Sequence, residues 1–182
     1  GASARARGAG LRGLQRLHEA VALAQSKQVQ EPRALYMAFF WRGQLACLQG
    51  DNCQAALLLE EALTLVRRQG DPSFISIISI WLGRALLGQS ETERAINLLL
   101  EGLENFRRLR YGELSTFCLD FLGQSAWARK EYRRAIQLFG AASELRTKIG
   151  IVRWFADPDY ESCLAAAQEM FGKEALLSAQ AA

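Results

Sequence analysis

The sequence has 182 residues, which is enough for one domain of ordinary size. Hydrophobic residues make up 50% of it and charged residues 23%, a composition typical of globular rather than disordered proteins. The formal net charge of +3 is too small to indicate a nucleic-acid or membrane partner. Few prolines and many alanines, leucines, arginines and glutamines favour helices over strands.

The first predicted element is a helix near the amino terminus. Residues 11–28 repeat the apolar pattern of a later helix, so we interpret residues 10–28 as a partial amino-terminal unit. His18 lies on this helix, and no orienting partner for a general base is evident. We therefore interpret His18 as a surface or interface residue.

Small and large residues then recur at a step of 40 residues. The recurring positions are Gly43, Gly83 and Gly123; Ala55, Ala95 and Ala135; Leu59, Leu99 and Phe139; Ala62, Gly102 and Ala142; and Trp41, Trp81 and Phe121. Five series in step with one another predict three structural repeats, at residues 33–70, 73–110 and 113–150.

Each repeat is predicted to contain two helices. The first helices are predicted at Ala34–Leu48, Ser76–Leu87 and Glu113–Ala128, and the second helices at Asn52–Arg68, Thr92–Arg108 and Tyr132–Lys148. Apolar residues recur at spacings of three and four in the second helices, which is the helical period. The segment Phe74–Trp81 taken alone also fits a buried strand, but the repeat period favours a helix.

The small residues have a predicted packing role. Two helices approach to about 8 Å only where one side chain is nearly absent, as at Gly43 opposite Ala55. Leu59 is then expected to insert beside this contact. One hairpin cannot bury its apolar face alone, so the sequence predicts an all-α fold, an α-solenoid of antiparallel helix hairpins.

The carboxyl-terminal region is predicted to close the repeats. Asp157 and Pro158 are residues that commonly begin a helix, and this helix is predicted to run to Phe171. Gly172 is predicted to end it, and a short helix at Glu174–Gln180 follows. We interpret residues 157–181 as a carboxyl-terminal cap and residues 1–182 as a single domain.

The repeat positions resemble the tetratricopeptide repeat (TPR). The matching residues are Gly43, Gly50-Asp51, Ala55, Leu59 and Ala62 in one repeat, and Gly123, Tyr132, Ala135, Phe139 and Ala142 in another. The middle repeat departs from the pattern at Gly102 and in the turn Gln89–Glu93. The period of 40, with no closing proline, is similar to the variant in bacterial signal-transduction ATPases and LuxR-type transcription regulators related to the maltose-regulon activator. The segment from Ala135 to Ala175 is also similar to the end of their repeat arrays.

This resemblance implies a non-catalytic sensor or interaction domain of a larger bacterial regulator or signalling ATPase. In that family the first helix of each repeat lines a concave face. The positions on these helices that we assign to ligand or partner binding, outside the core, are Phe40, Gln44, Cys47, Ile80, Arg84, Leu87, Asp120, Gln124 and Trp127. The expected partner is a protein or peptide segment, or a small-molecule inducer, and binding is expected to alter self-association of the parent. An equal alternative is that these residues contact only neighbouring repeats or the rest of the parent.

The sequence contains no pattern that indicates metal binding, cofactor binding or catalysis. Cys47, Cys53, Cys118 and Cys163 contain no CxxC pair, so we expect no metal and no cofactor, and we interpret them as reduced thiols of a cytoplasmic protein. No phosphate-binding loop motif is present, and we do not expect an enzyme. Two further alternatives are a pure protein scaffold without an inducer and, with less support, an RNA-binding helical repeat. We expect no direct nucleic-acid binding and no membrane contact.

Overall fold

The computed structural model describes residues 32–152 and 157–180, and this part of the chain is entirely helical. The helices are α1 Pro32–Leu48, α2 Asn52–Gln69, α3 Pro72–Gly88, α4 Thr92–Leu109, α5 Gly112–Ala128, α6 Tyr132–Ile149 and α7 Pro158–Gln180. The predicted partial unit at residues 10–28, with His18, lies outside the described residues. Among the helices that are described, none has the length and apolarity needed to cross a bilayer.

The observed helices agree closely with the predicted ones. The second helices of the three repeats begin at Asn52, Thr92 and Tyr132, as predicted. The segment that also fitted a strand lies within α3, so the helical interpretation is confirmed. α3 begins earlier than expected because Asp71 caps it: its side chain accepts a hydrogen bond of 3.1 Å from the amide of Phe74.

The forty-residue period is also present in the backbone conformation of the turns. The turn after each first helix contains a left-handed residue, and these are Gly50, Ser90 and Lys130, with φ of 82°, 66° and 62°. The residues that end each second helix are left-handed too, and these are Gly70, Arg110 and Gly150, with φ of 70°, 58° and 70°. Only some of these positions hold glycine, the residue that adopts this conformation without steric cost.

Replacing Arg110 with glycine is expected to raise the free energy of unfolding by about 0.5–1 kcal/mol. Arg110 is an L-residue in the conformation that Gly70 and Gly150 adopt at the equivalent turns. Urea unfolding measures the change as a higher midpoint at an unchanged slope. The matched control is Arg107→Gly inside the last turn of α4, which should lower stability by about 1 kcal/mol. Destabilisation by both variants to the same extent would contradict the assignment of strain to Arg110.

The helices fall into two compact units, Gly1–Gln89 and Ser90–Ala182, described separately below. In the first unit α1 and α2 form a hairpin, and α3 packs on both. A Cβ atom at Gly43 would lie 2.6 Å from Cγ of Leu59 and 3.3 Å from the carbonyl oxygen of Ala55. The close helix contact predicted from the repeat is therefore present in this hairpin.

Aromatic rings join α1 to α3 in the same unit. The ring of Phe74 lies 5.6 Å from that of Tyr36 and 6.5 Å from that of Phe40, measured between centroids. Tyr36 and Phe40 are both buried. Edge-to-face and tilted ring pairs of this kind add to the stabilisation from burial alone. Successive first helices of the unit are thus held together by an apolar contact.

The second unit repeats the hairpin with α5 and α6, flanked by α4 on α5 and by α7 on α6. Gly123 faces the ring of Phe139, and a Cβ atom at this position would collide with Cε1 and lie 2.7 Å from Cδ1 of that ring. Phe139 is buried and meets the ring of Tyr160 of α7 edge-on, with centroids 5.1 Å apart. The glycine and the ring are thus the equivalents of Gly43 and Leu59.

The start and the division of α7 follow the sequence prediction. Oδ1 of Asp157 accepts hydrogen bonds from the amides of Asp159 and Tyr160, at 3.2 and 3.4 Å, and so caps the helix. Gly172 has φ of 75° and ψ of 160°, which interrupts the helix and separates a short second segment. The predicted helix start at Asp157, the interruption at Gly172 and the final helical segment are therefore confirmed. The role of residues 157–181 as a cap of the repeats stays a prediction.

Candidate functional site

In the first unit, most of the predicted binding residues are buried. The buried ones are Phe40, Gln44, Cys47, Ile80 and Arg84, while Leu87 is half-buried. Their assignment to positions outside the core was wrong, because α3 packs directly on α1. Phe40 contacts the ring of Phe74, and Sγ of Cys47 donates to the carbonyl oxygen of Trp81 at 3.7 Å. The binding role of these residues stays a prediction.

In the second unit, the predicted residue Asp120 is fully buried and forms an ion pair with Arg146. Nη1 of Arg146 donates to Oδ2 at 2.8 Å, and Nη2 donates to Oδ1 at 3.3 Å. Nη2 also donates to Oη of Tyr160 at 3.5 Å. The planar guanidinium matches both carboxylate oxygens, which is the arrangement that best offsets the cost of burying two charges. Sequence reasoning assigned Asp120 to a binding face and missed Arg146.

Gln124 is also buried, and its partner is the residue that caps α7. Nε2 of Gln124 donates to Oδ2 of Asp157 at 2.9 Å. The other carboxylate oxygen of Asp157 accepts the amide hydrogen bonds at the start of α7. Together with the pair between Asp120 and Arg146, this bond joins α5 and α6 to the carboxyl-terminal helix. Two polar residues predicted to face a ligand therefore act within the unit as attachments for α7.

Trp127, the last predicted residue, is half-buried and belongs to a surface cluster of three aromatic rings. Its ring lies 4.8 Å from that of Tyr132, and the ring of Tyr132 lies 6.3 Å from that of Phe171. We call Trp127, Tyr132 and Phe171 the aromatic cluster. Phe171 is 41% exposed, and its neighbour Met170 is 55% exposed. Neither Tyr132 nor Phe171 was predicted from the sequence to be a site residue.

The aromatic cluster packs against the buried core of the second unit through Trp127. Trp127 packs against the buried residues Ala135 and Ile136 of α6 and Ala167 of α7. Phe171 lies four residues after Ala167, so both occupy the same face of α7. Three helices therefore position the three rings.

The turn between α5 and α6, which includes Tyr132 of the cluster, is rich in basic residues. We call residues 129–134, which contain four basic residues and one acidic residue, the basic turn. Arg129 donates to carboxylates of Glu93 and Glu131, both at 2.9 Å, and Arg134 lies 3.3 Å from Glu131. Lys130 and Arg133 are also exposed. The basic turn itself thus carries more positive than negative charge.

The cysteines occupy unlike environments. Burial raises the pKa of the Cys118 thiol above its ordinary value. Burial, and then the charges of Asp159 and Asp157, raise the pKa of Cys163 to about 11. Cys53 is exposed, and within the described residues no disulfide forms. In the same ranges, no three His, Cys, Asp or Glu side chains come together as metal ligands would.

We expect a thiol-alkylating reagent at pH 8 to modify Cys53 rapidly and Cys118 and Cys163 slowly. Because the thiolate is the reacting species, a pKa near 11 for Cys163 leaves on the order of one thiol in a thousand ionised at this pH. Mass spectrometry of tryptic peptides measures the modification of each residue. Cys53→Ser should abolish the fast phase, and denaturant should release the slow sites. Fast modification of Cys118 in the native protein would show that this thiol is accessible to solvent, which contradicts its buried position.

No family model matches this sequence, and no curated protein matches it at a significant level. Among solved structures, the crystal structure of BtubC (BKLC) from P. vanneervenii is similar, with a TM-score of 0.64. The two chains are 20% identical, and the match covers 95% of this chain and 71% of the other. At this identity the likeness concerns the fold alone. The described part of the chain is therefore helical and repeat-like, with a fold similar to that of BtubC.

Proposed function

We propose that this chain is a non-catalytic helical-repeat module that binds a protein or peptide segment. The observation that carries the proposal is the aromatic cluster, in which rings from three helices lie together and are partly open to solvent. Aromatic side chains with a fixed orientation are the most common anchors of protein–protein interfaces, because little conformational entropy is lost when they are covered.

The polar residues of the predicted site favour a protein over a polar small molecule. Asp120 and Gln124 are buried and bonded to Arg146 and Asp157, so they are poorly placed to recognise a ligand. Half-buried Leu87 and Trp127 offer surface, and both are apolar. Exposed apolar area next to charged residues is typical of a protein or peptide interface.

The sequence resemblance supports a parent protein of a particular kind. We propose that the module belongs to a cytoplasmic bacterial transcription regulator or signalling ATPase and that partner binding changes the self-association of the parent. The full-length sequence tests this point directly. An upstream phosphate-binding loop or an adjacent helix-turn-helix motif is the expected finding. Flanking sequence with neither module would contradict the assignment of the parent.

The binding function is tested by affinity capture followed by reconstitution. Candidate partners captured from cells of the source organism are purified, and binding to this chain is measured by calorimetry. In parallel, a metabolite library is screened for an increase in melting temperature. We expect a saturable complex with a protein partner at micromolar affinity or better and no stabilisation by metabolites. Stabilisation by a metabolite without any protein partner, or turnover of a substrate, would contradict the proposal.

A further inference from the structure

We infer that the aromatic cluster and the basic turn form one docking surface for an acidic peptide segment that carries an apolar anchor residue. This inference rests on the proposed function and specifies its site and the chemistry of the partner. The surface lies entirely in the second unit, and its rings and basic residues come from α5, α6, α7 and the turn between α5 and α6.

The rings define where an apolar side chain of the partner would lie. Tyr132 stands between Trp127 and Phe171, with ring centroids 4.8 and 6.3 Å away. Phe171, at the end of this row, is 41% exposed. An aliphatic or aromatic side chain placed against these residues would cover area that is now in water, which is the usual source of affinity at an interface anchor.

The basic residues of this surface indicate that the rest of the partner is acidic. The first turn of α6 contains Arg133 and Arg134 and no acidic residue, although positive charge is unfavourable at the start of a helix. Glu131 makes no capping bond to this helix and instead pairs with Arg129 and Arg134. An acidic segment would complement Lys130 and Arg133 and would offset the unfavourable interaction of the arginines with the helix dipole.

The surface fits an acidic peptide better than a nucleic acid. Glu93 and Glu131 lie among the arginines, each within 2.9 Å of Arg129, so the positive charge is interrupted. A phosphate backbone carries one charge per nucleotide and is bound by a continuous basic track. A peptide can place its carboxylates selectively beside Lys130 and Arg133. RNA binding is therefore an outcome of the test and not part of the inference.

The test begins with a displayed library of random dodecapeptides selected against the full chain. We expect the enriched peptides to be net negative and to contain a leucine, phenylalanine or tryptophan. Synthetic fluorescein-labelled copies then give dissociation constants by fluorescence anisotropy. A labelled oligouridine and a labelled scrambled peptide of the same composition are measured beside them.

Two surface variants locate the site without disturbing the core. Phe171→Ser removes the exposed ring, and Arg133→Glu reverses an exposed charge; each should weaken peptide binding at least about tenfold. Matched controls are Leu57→Ser, at a side chain that is 61% exposed in α2, and Arg67→Glu in the last turn of that helix. These controls should change the dissociation constant less than about twofold. Circular dichroism melts confirm that all four variants are folded.

The outcomes separate the inference from the proposed function. If peptides bind the control and test variants equally, the assignment of the docking surface is wrong. The peptide-binding function would then be located at another face. A library without any enriched peptide, together with no captured protein partner, would overturn both. If the chain binds oligouridine and Arg133→Glu abolishes that binding, the partner of this surface is a nucleic acid and the inference is wrong. Self-association lost in Phe171→Ser, measured by sedimentation, would identify a second copy as the occupant and also overturn the inference.

Discussion

Replacement of Asp120 by alanine is expected to lower the free energy of unfolding by about 3–5 kcal/mol. The substitution leaves the guanidinium of Arg146 buried without its carboxylate partner. Tyr160, at 3.5 Å from Nη2, is too distant and too weak an acceptor to replace it. Urea unfolding followed by circular dichroism measures the change in stability, and amide hydrogen exchange of α7 should increase because its attachment is lost.

Two further variants separate this effect from a general loss of charge. Glu104→Gln removes exposed ion pairs with Arg107 and Arg108 and should cost less than about 1 kcal/mol. The double variant Asp120→Leu with Arg146→Met replaces the buried pair by apolar side chains and should recover most of the lost stability. If Asp120→Ala costs no more than Glu104→Gln, the buried pair does not hold this unit together.

Replacement of Gly123 by valine is expected to lower the free energy of unfolding by about 1–3 kcal/mol. The new Cβ atom would collide with the ring of Phe139, which is buried and held edge-on by Tyr160. Such a ring cannot rotate away as the end of a flexible side chain can, so α5 and α6 must separate. Thermal or urea unfolding gives the difference from the parent chain.

The matched control for this prediction is Gly112→Ala in α5. A Cβ atom at Gly112 would meet Cδ1 of Ile149 at 3.3 Å, and that side chain is 41% exposed and free to shift. We expect a change within about 0.5 kcal/mol. Equal stability of Gly123→Val and Gly112→Ala would mean that the small residue of the repeat is not required for close helix packing.

Much of the fold could be predicted because it depends on residues that repeat. The repeat predicts that Gly43 meets Ala55, with Leu59 inserted beside the contact. The step of 40 gives Gly123 and Phe139 the equivalent positions, and the close contacts of both glycines are present. Local signals were also sufficient for the cap at Asp157 and the interruption at Gly172. These features are set by short-range geometry or by packing that must recur in every hairpin.

The candidate site was less predictable because it depends on how each helix is rotated against its neighbours. Asp120 and Arg146 are 26 residues apart, and no period relates them. No period relates Tyr132 and Phe171 either. Their rings meet only because α7 returns to the start of α6. Spacing within a helix could assign Asp120 and Gln124 to one face, but it could not show that another helix covers that face. The assignment of Trp127 to the binding face was the only part of the cluster that the sequence indicated.

The most direct test of the binding surface is hydrogen–deuterium exchange of the full chain with and without the tightest-binding peptide from the library. We expect slower exchange in residues 127–134 and 166–171, which contain the aromatic cluster and the basic turn, and no change in residues 36–47 of α1. Protection confined to α1 and α3, with none at the carboxyl end of α5 or in α7, would contradict the account.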